Sequence, residues 1–306
     1  MLRLYTHRAC LRHVPPGQHA ERPARLQAVL EALDADRYAS VDRVEAPRAS
    51  REQLLRMHSA GHIDTIASGP PGAGPRMLDA DTYWCADSAE AALRAAGAVI
   101  AAVDAVMAGT CRHAFCAVRP PGHHATATQA MGFCLFNNVA LGAAHALAVH
   151  GVERIAIADF DVHHGNGTQE LCASDECILF ASSHQVPLYP GTGLPDAANP
   201  DNCINGALAP GSGSAPFRAL WSTQLLPRLH AFRPQLVLVS AGFDAHRHDP
   251  LADLQLETDD YAWITAELVE LAHAHAADRL VSTLEGGYDL AALAASTCAH
   301  VDALMA

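Results

Sequence analysis

Short apolar segments rich in β-branched residues alternate along the chain with longer segments in which apolar residues recur every three or four positions. The short segments predict strands, and the long ones predict helices with one buried face. The predicted strands are 2–5, 114–118, 155–158, 177–181, 236–240 and 280–284, and the predicted helices are 21–33, 88–107, 138–150, 216–230, 258–277 and a last one from 289. This alternation predicts an α/β fold whose largely parallel sheet is covered by helices on both faces.

Residues that favour turns and helix ends support the same division. Gly109 follows the helical segment 88–107 and is typical of a helix C-terminus, and Thr258 stands where a helix N-cap is expected. Two segments rich in glycine and proline, 69–75 and 187–214, predict irregular loops. No repeat, linker or charge block divides the sequence, so we expect one domain over residues 1–306.

Composition narrows the class of protein. Of the 306 residues, 50% are hydrophobic, and the formal net charge of −13 makes the chain a poor binder of nucleic acid. No apolar segment approaches the roughly 20 residues that cross a membrane, and residues 1–5 lack the features of a signal peptide. The nine cysteines form no C-x-x-C pair, which favours buried reduced thiols. We therefore expect a cytoplasmic protein that binds neither nucleic acid nor membrane, and the sequence leaves a homo-oligomer open.

The segment from Asp159 to Gln169, DFDVHHGNGTQ, carries the most unusual chemistry of the chain. It follows the predicted strand 155–158, and in an extended strand Asp159, Asp161 and His163 would share one face. Two carboxylates and an imidazole suit Zn²⁺ better than Ca²⁺ or Mg²⁺, which prefer all-oxygen ligands. Alternatively, the aspartates only accept hydrogen bonds from turn amides. This segment alone leaves both interpretations open.

Polar clusters of this kind follow four of the predicted strands. They are 119–124 (RPPGHH), 159–164 (DFDVHH), 240–246 (SAGFDAH) and 284–288 (LEGGY). In parallel sheets, sites form where the carboxyl ends of the strands meet. Four such clusters in one chain favour a functional site at this edge of the sheet over unrelated loop chemistry.

Several long motifs resemble those of the class II-type histone deacetylases and the bacterial histone deacetylase-like amidohydrolases. They are HAERPARL (19–26), RPPGHHA (119–125), GFCLFNNVA (132–140), DFDVHHGNGTQ (159–169), LYPGTG (188–193), SAGFDAHRHDPL (240–251) and LEGGYDL (284–290). They occur in the order of the family and cover nearly the whole chain. The resemblance implies the arginase/deacetylase fold, a single α/β domain in which helices flank a central, mostly parallel sheet. It also implies an active site at the C-terminal ends of the strands.

The resemblance also implies a metal centre. Asp161, His163 and Asp244 match the ligands of one Zn²⁺ ion, and three protein ligands leave a position for water and substrate. The bound ion lowers the pKa of that water and polarises the amide carbonyl. Relatives also bind K⁺ nearby, and the residues that match this second site are Asp159, Asp161, His163 and Ser182.

Five residues match the catalytic positions of the family. His124 would be the general base that takes the proton of the water and passes it to the leaving amine. His123 would be its electrostatic partner, oriented by the carboxylate of Asp159. Asn166 occupies the position whose side chain orients His124, and an asparagine there matches class II. Tyr288 would donate a hydrogen bond to the carbonyl and then to the oxyanion.

The expected substrate site is a tunnel. Phe133 and Tyr189 match the aromatic pair that encloses an alkyl chain, with core packing as the alternative for each. The carbonyl of Gly132 would accept the substrate N–H, and Asp81 would hold the substrate backbone at the rim. Leu251 stands where polyamine-selective relatives carry an acidic residue, which argues against acetylated polyamines.

Four other residues have no firm role in this interpretation. Arg25 either lines the internal cavity behind the zinc or lies on the surface of a helix. We expect His184, His246 and His248 to be exposed histidines at the rim.

The function that the resemblance implies is a zinc-dependent amidohydrolase. It would remove acetyl or other acyl groups from the ε-amine of lysine or a similar alkylamine, so its partner would be an acylated peptide, protein or small amine. One alternative is an acetylpolyamine or small-amide amidohydrolase, and another is a weakly catalytic module that binds acyl-lysine. A ureohydrolase with two Mn²⁺ ions would need extra aspartate ligands, where this chain has the histidine pair and the Tyr288 loop.

Overall fold

A computed structural model of this chain describes residues 1–70, 74–194 and 199–306, so the predicted loops 69–75 and 187–214 lie partly outside the described residues. Within them the strands are β1 (Leu2–Thr6), β2 (Asp42–Glu45), β3 (Arg76–Met77), β4 (Tyr83–Trp84), β5 (His113–Cys116), β6 (Ile155–Asp159), β7 (Ile178–Gln185), β8 (Cys203–Leu208), β9 (Leu236–Ala241) and β10 (Leu280–Leu284). The helices are α1 (Pro23–Ala32), α2 (Arg51–Leu54), α3 (Ala60–Ser68), α4 (Ser88–Met107), α5 (Asn138–His150), α6 (Asn166–Cys172), α7 (Ser214–Leu220), α8 (Leu226–Phe232), α9 (Thr258–His275) and α10 (Leu290–Met305). A π-helical segment, Trp221–Leu225, joins α7 to α8.

The described residues form one large sheet and one short hairpin. The large sheet has eight strands in the order β2-β1-β5-β10-β9-β6-β7-β8, and all its pairings are parallel. Every residue of β5, β6, β7, β9 and β10 is buried. Because successive side chains of a strand point to opposite faces, both faces of the sheet must be covered. The predicted single-domain α/β fold with a parallel sheet is confirmed.

Helices pack on the sheet in two groups. Helices α4 and α5 contact each other and reach the central strands, and α10 packs against both α1 and α9. One continuous hydrophobic core lies between these layers, and a smaller apolar cluster lies under α2 and α3. The helical layers leave the carboxyl edge of the sheet to loops.

Helix caps explain where α1 and α5 begin and end. Pro23 occupies the first turn of α1, where its missing N–H breaks no helical hydrogen bond. The side chain of Asn137 accepts the N–H of Ala140 at the start of α5, and Gly151 ends that helix in the left-handed conformation at φ 62°.

Helix α9 begins differently from the prediction. Glu257 is the N-cap, and Thr258 is already the first helical residue. The carboxylates of Glu257 and Asp260 accept each other's backbone N–H groups in a capping box. The prediction of Thr258 as the cap was wrong because an acidic residue one position earlier makes the same kind of contact.

The sequence pattern missed the two edge strands of the large sheet, the short hairpin of β3 and β4, and the helices α2 and α3. β8 lies inside the segment that was predicted to be a loop, and β7 continues to Gln185 instead of ending at residue 181. β2 and β8 are the two edge strands of the sheet. β2 has only half-buried and exposed residues, and β8 mixes buried with half-buried ones. An edge strand is only partly covered, so its sequence lacks the continuous apolar run that identifies a central strand.

Two other predictions concern the cysteines and the membrane. All nine cysteines are free thiols, and six of them are buried, in agreement with the sequence. Across the described residues, no helix combines the length and the apolar character needed to cross a bilayer.

Histidines buried in the core make stability depend on pH. His300 of α10 is fully buried against Phe115 and Phe160. Its Nδ1 lies 2.6 Å from Thr265 Oγ1, which donates its own proton to a carbonyl, and its Nε2 lies 2.8 Å from Ser282 Oγ. Burial lowers the pKa of His300 to about 3, so the folded protein holds it neutral.

We predict that the free energy of unfolding falls as the pH drops below about 6.5, the pKa of a histidine in the unfolded chain. Between pH 6.5 and about 3 the unfolded chain takes up a proton that folded His300 does not accept, which costs about 1.4 kcal/mol per pH unit. His300→Gln should remove this part of the slope in urea unfolding measured from about pH 7.5 to 4.5. The control His248→Gln, at an exposed position, should keep the wild-type slope. An unchanged slope in His300→Gln would contradict the prediction.

Candidate active site

The four predicted clusters lie side by side because β5, β10, β9 and β6 are consecutive in the sheet. Parallel strands present their carboxyl ends at the same edge, so the loops after all four strands converge. Each of these loops contributes at least one residue to the site described below.

The strand β6 does not continue through the central motif. It ends at Asp159, and residues 161–163 form a bend. The N–H of Asp161 donates to Asp159 Oδ1 at 3.2 Å, and the N–H of His163 donates to Asp161 Oδ1 at 2.9 Å. The shared-face argument was therefore wrong, because a bend and not strand alternation brings these side chains together. The aspartates accept turn amides, as the alternative proposed, and these contacts also fix their orientation.

Three buried residues, Asp161, His163 and Asp244, have candidate ligand atoms that all lie within 4.8 Å of one another, and we name them the metal-ligand group. Nδ1 of His163 lies 3.0 Å from Asp161 Oδ1 and 3.2 Å from Asp244 Oδ2. Burial raises the pKa of Asp244 and opposes a charge on His163, but hydrogen bonds to the two carboxylates raise the pKa of His163 to about 10. Two buried carboxylates thus require a positive charge beside them. A proton on His163 meets this requirement, and a divalent metal ion would meet it better.

Two glycines let the backbone pass directly over these carboxylates. A Cβ atom on Gly286 would lie 1.9 Å from Asp244 Oδ2 and 2.6 Å from Asp161 Oδ2, and one on Gly242 would lie 2.1 Å from Asp161 Oδ2. The N–H of Gly286 donates to Asp161 Oδ2 at 2.8 Å, and the N–H of Val162 donates to Asp244 Oδ1 at 2.9 Å. One imidazole nitrogen and two oriented carboxylates match the ligands that Zn²⁺ accepts. The residues fit the metal that the motifs imply.

A second group of metal-binding residue types among the described residues fits less well. Nε2 of His145 and Nε2 of His150 each lie 2.7 Å from Asp104 Oδ1. Nδ1 of His145 accepts a hydrogen bond from the guanidinium of Arg56 at 2.7 Å, so the Nε2 of that ring carries the proton and donates to Asp104. A metal ligand usually has the reverse arrangement, with its other nitrogen donating. We interpret this group as a hydrogen-bonded triad.

The adjacent histidines His123 and His124 have opposite electrostatic environments. Nδ1 of His123 lies 3.0 Å from Asp159 Oδ2 and its Nε2 lies 3.8 Å from Asp161 Oδ1. Burial opposes a charge on His123, but the two carboxylates outweigh it and raise its pKa to about 10. Burial lowers the pKa of His124 well below its usual value, and positive charge on His123 and His163 lowers it further. Nδ1 of His124 donates to Asn166 Oδ1 at 2.8 Å, which leaves its Nε2 as a free acceptor.

A cavity of about 220 Å³ lies in front of the metal-ligand group. It is lined by Asp81, His124, Gly132, Phe133, His163, Leu188, Tyr189, Leu251 and Tyr288. His124 is thus the histidine of the pair that faces this space, and His123 lies behind it. All five predicted substrate-binding residues line the cavity, which is the arrangement that a tunnel requires.

The wall of the cavity depends on unusual backbone at Gly132 and Phe133. Both have positive φ, at 54° and 68°, and a Cβ on Gly132 would lie 2.3 Å from the ring of His124. Asp81 Oδ1 accepts the N–H of Gly132 at 3.1 Å, and Thr82 Oγ1 accepts the N–H of Phe133 at 3.0 Å. The carbonyl of Gly132 was expected to be free, but the thiol of Cys134 lies 3.2 Å from it. One of its two lone pairs therefore remains for a ligand.

Tyr288 and Arg25 lie against each other at the inner end of the site. The guanidinium of Arg25 stacks 4.7 Å from the centre of the Tyr288 ring and donates to the carbonyls of Glu285 and Gly287. Arg25 is fully buried, so its alternative placement on a helix surface is wrong. The motif alone could not distinguish a buried Arg25 from one on a helix surface, because the carbonyls that Arg25 binds belong to the far end of the chain.

The expectation of exposed rim histidines holds for only one of three residues. His248 is exposed, but His184 and His246 are buried. Nδ1 of His184 lies 2.9 Å from Ser182 Oγ and its Nε2 lies 2.9 Å from the carbonyl of Gly193. His184 was misplaced because β7 runs four residues further than predicted and carries it into the sheet.

The predicted K⁺ residues lie along the neighbouring strands β6 and β7. The register pairs Asp159 with Ser182, so these two residues lie side by side behind the metal-ligand group. Potassium at Asp159, Asp161, His163 and Ser182 stays a prediction.

Sequence reasoning missed two buried acidic residues, although both stand inside the quoted motifs. Glu285 Oε2 accepts the N–H groups of Gly122 and His123 at 2.6 and 3.1 Å, which fixes the start of the histidine pair. Burial raises the pKa of Glu285 to about 7. Asp249 accepts the N–H of Tyr288 at 2.7 Å. The signal that could have found Glu285 is an acidic residue at the end of an apolar strand, which is also how Asp159 stands out.

Comparisons with known proteins show which family this chain resembles. Residues 19–304 match the family described as histone deacetylase domain. The chain is 40% identical over 282 residues to the histone deacetylase-like amidohydrolase of Pseudomonas aeruginosa, which covers 90% of this chain and 74% of that protein. It is 36% identical to type-2 histone deacetylase 2 of Dictyostelium discoideum over 93% of this chain, but it spans only 19% of that relative. The crystal structure of the HDA15 HD domain superimposes with a TM-score of 0.94 at 33% identity, covering 99% of this chain and 88% of that one.

We predict that Gly286→Ala disrupts the metal-ligand group, because the added Cβ would lie within 2 Å of the Asp244 carboxylate. The purified variant should retain less than a tenth of the wild-type metal content after dialysis and should lose roughly 1 to 3 kcal/mol of stability. Gly61→Ala is the control, since a Cβ at Gly61 meets nothing within 4 Å. Wild-type metal content in Gly286→Ala would show that the carboxylates do not hold the metal.

Proposed function

The chain belongs to the histone deacetylase family, whose named members here are deacetylases and amidohydrolases, and we propose that it hydrolyses acylated lysine side chains or similar acylated alkylamines with one Zn²⁺ ion. Asp161, His163 and Asp244 would hold the ion. The observation that carries this proposal is the shared cavity. Its lining brings together a neutral histidine (His124), a candidate metal ligand (His163) and a tyrosine (Tyr288) in a mostly apolar cavity.

A Zn²⁺ ion at these ligands would supply Lewis-acid chemistry, polarising the amide carbonyl and lowering the pKa of a bound water. The chain itself supports this chemistry by excluding bulk water, because all three ligands are buried. Backbone amides hold the carboxylates in one orientation, so little reorganisation is needed when the ion binds.

His124 is the residue best suited to move protons. Its pKa is lowered, so it is neutral at physiological pH, and Nδ1 is occupied by Asn166, so Nε2 is the basic atom. Nε2 would take a proton from the attacking water and return it to the leaving amine. The charge of His123, held by Asp159, would favour the negative transition state from behind.

Tyr288 is suited to donate a hydrogen bond. Burial raises the pKa of its hydroxyl well above the usual value, although the charge of Arg25 acts in the opposite direction. The hydroxyl therefore stays protonated at neutral pH. It would donate to the substrate carbonyl and more strongly to the oxyanion that forms from it.

The tunnel supports an alkyl chain as the substrate segment. The rings of Phe133 and Tyr189 form its walls, and the exposed Leu251 lies at its outer end. Asp81 also lines it, and its Oδ1 is already bound to Gly132 and Thr82. An uncharged leucine at the mouth favours an acyl-lysine chain over a polyamine, whose second ammonium would need a carboxylate partner.

The alternative functions have less support. A binding module would not need His124, Asn166 and Tyr288 in this arrangement, and a ureohydrolase would need further carboxylates, whereas the metal-ligand group among the described residues contains two. Bound K⁺, the oligomeric state and a cytoplasmic location stay predictions from the sequence.

The first test is an assay of the Zn²⁺-loaded chain. Peptides with acetyl-, trifluoroacetyl- and longer acyl-lysine should be hydrolysed faster than acetylputrescine and acetylspermidine, and a hydroxamate should inhibit the hydrolysis of every substrate.

Tyr288→Phe should reduce kcat by roughly 100-fold or more, and His124→Ala by a similar or larger factor, with metal content unchanged. Asp161→Ala should lose metal and activity together. Wild-type turnover in Tyr288→Phe would refute the oxyanion role.

The second test concerns selectivity at the mouth of the tunnel. Leu251→Glu should raise kcat/KM for acetylspermidine relative to acetyl-lysine peptide about fivefold, because a half-exposed ion pair contributes up to about 1 kcal/mol. Leu55→Glu adds the same charge at an exposed position outside the cavity and should leave the ratio unchanged. Equal ratios in both variants would show that residue 251 does not contact the amine.

A further inference from the structure

Asp249 is a buried carboxylate that lies beside the active site without lining it. It is not among the residues of the cavity or of the metal-ligand group. Its Oδ2 accepts the N–H of Tyr288 at 2.7 Å, and its Oδ1 accepts the N–H of Leu251 at 3.0 Å. One side chain therefore binds the backbone of a residue at the inner end of the cavity and of another at its mouth.

The Tyr288 loop needs such a contact because of its sequence. Two glycines precede Tyr288, and Gly287 has φ 122°, a conformation that other residues rarely adopt. The N–H of Gly286 is held by Asp161, and the carbonyl of Gly287 is held by Arg25. The N–H of Tyr288 itself is held by Asp249. Of the three contacts that hold this loop, only this one is made by the backbone of Tyr288 itself.

We propose that Asp249 is a positioning residue that fixes the Tyr288 hydroxyl over the reacting carbonyl and couples it to the rim at Leu251. This proposal rests on the proposed function. A carboxylate suits the role because both of its oxygens accept hydrogen bonds. An asparagine offers one acceptor oxygen, and its NH₂ group would face one of the two N–H donors, so Asp249→Asn must lose one contact.

Burial, together with the nearby Asp244 carboxylate, raises the pKa of Asp249 to about 7. The experiments should therefore be run at about pH 8.5, where the form with two acceptor oxygens predominates. Metal content is measured for each variant, so that loss of the ion is recognised separately.

The activity experiment is a double-mutant cycle with Tyr288→Phe. Asp249→Asn should lower kcat for an acetyl-lysine peptide by roughly 10-fold or more in the wild-type background and by less than about twofold in the Tyr288→Phe background. The reason is that the aspartate acts only through the tyrosine hydroxyl. An equal loss in both backgrounds, or no loss in either, would overturn the proposal.

Amide hydrogen exchange tests the same role without activity. Asp249→Asn should speed exchange in residues 285–290 and 249–252 by about tenfold or more, while β6 and β9 keep their protection. Asp253→Asn is the matched control, because Asp253 is exposed and its carboxylate contacts Gln185. It should change neither exchange nor kcat.

The two experiments separate failure of the proposal from failure of the proposed function. Unchanged exchange at residues 285–290 in Asp249→Asn would overturn the positioning role whatever the activity. If the wild-type chain hydrolyses no acylated amine but Asp249→Asn loosens that segment, the proposed function fails and the positioning of Tyr288 stands.

Discussion

The site depends on the burial of two carboxylates, Asp161 and Asp244, side by side at the carboxyl edge of a parallel sheet. Buried like charges repel each other, so the pair is stable only with positive charge beside it and hydrogen-bond donors around it. A proton on His163 or a metal ion bound there would meet the first need, and backbone amides of the neighbouring loops meet the second. The amide of residue 286 can come close enough only because that residue has no Cβ. The glycine-rich loop after β10 and the metal-ligand geometry are thus one feature.

The same buried charges give two adjacent histidines different properties. The carboxylates of Asp159 and Asp161 stabilise a proton on His123, whereas the neutral amide of Asn166 faces His124. Opposite pKa shifts in neighbouring groups are typical of acid–base sites. Of these two histidines, only His124 lines the cavity, so the neutral ring faces the proposed substrate site and the charged ring lies behind it. The two histidines differ because their surroundings differ, since the residue type is the same.

The central strands, the long helices and the site motifs could be predicted because their signals are local. A buried strand shows itself as an apolar run, and the four polar clusters stand directly after such runs. Edge strand β8 and the burial of His184 were missed because they depend on how much of a strand its neighbours cover. The bend after Asp159 was missed for a related reason. Its hydrogen bonds use side chains of the motif itself, and an alternating pattern does not report them.

The sequence by itself determined the α/β class, the order of the main elements and which residue types stand at the strand ends. Only the tertiary structure decided which of those strand ends are neighbours. In the sheet, β10 and β9 lie between β5 and β6, although both come later in the chain. It also decided the partners of Arg25, which binds a carbonyl 262 positions away, and the contacts of Asp249 with Tyr288. Local patterns report burial and hydrogen bonding within a few residues. Contacts between distant segments follow from strand order and from the packing of complete layers, so no local pattern encodes them.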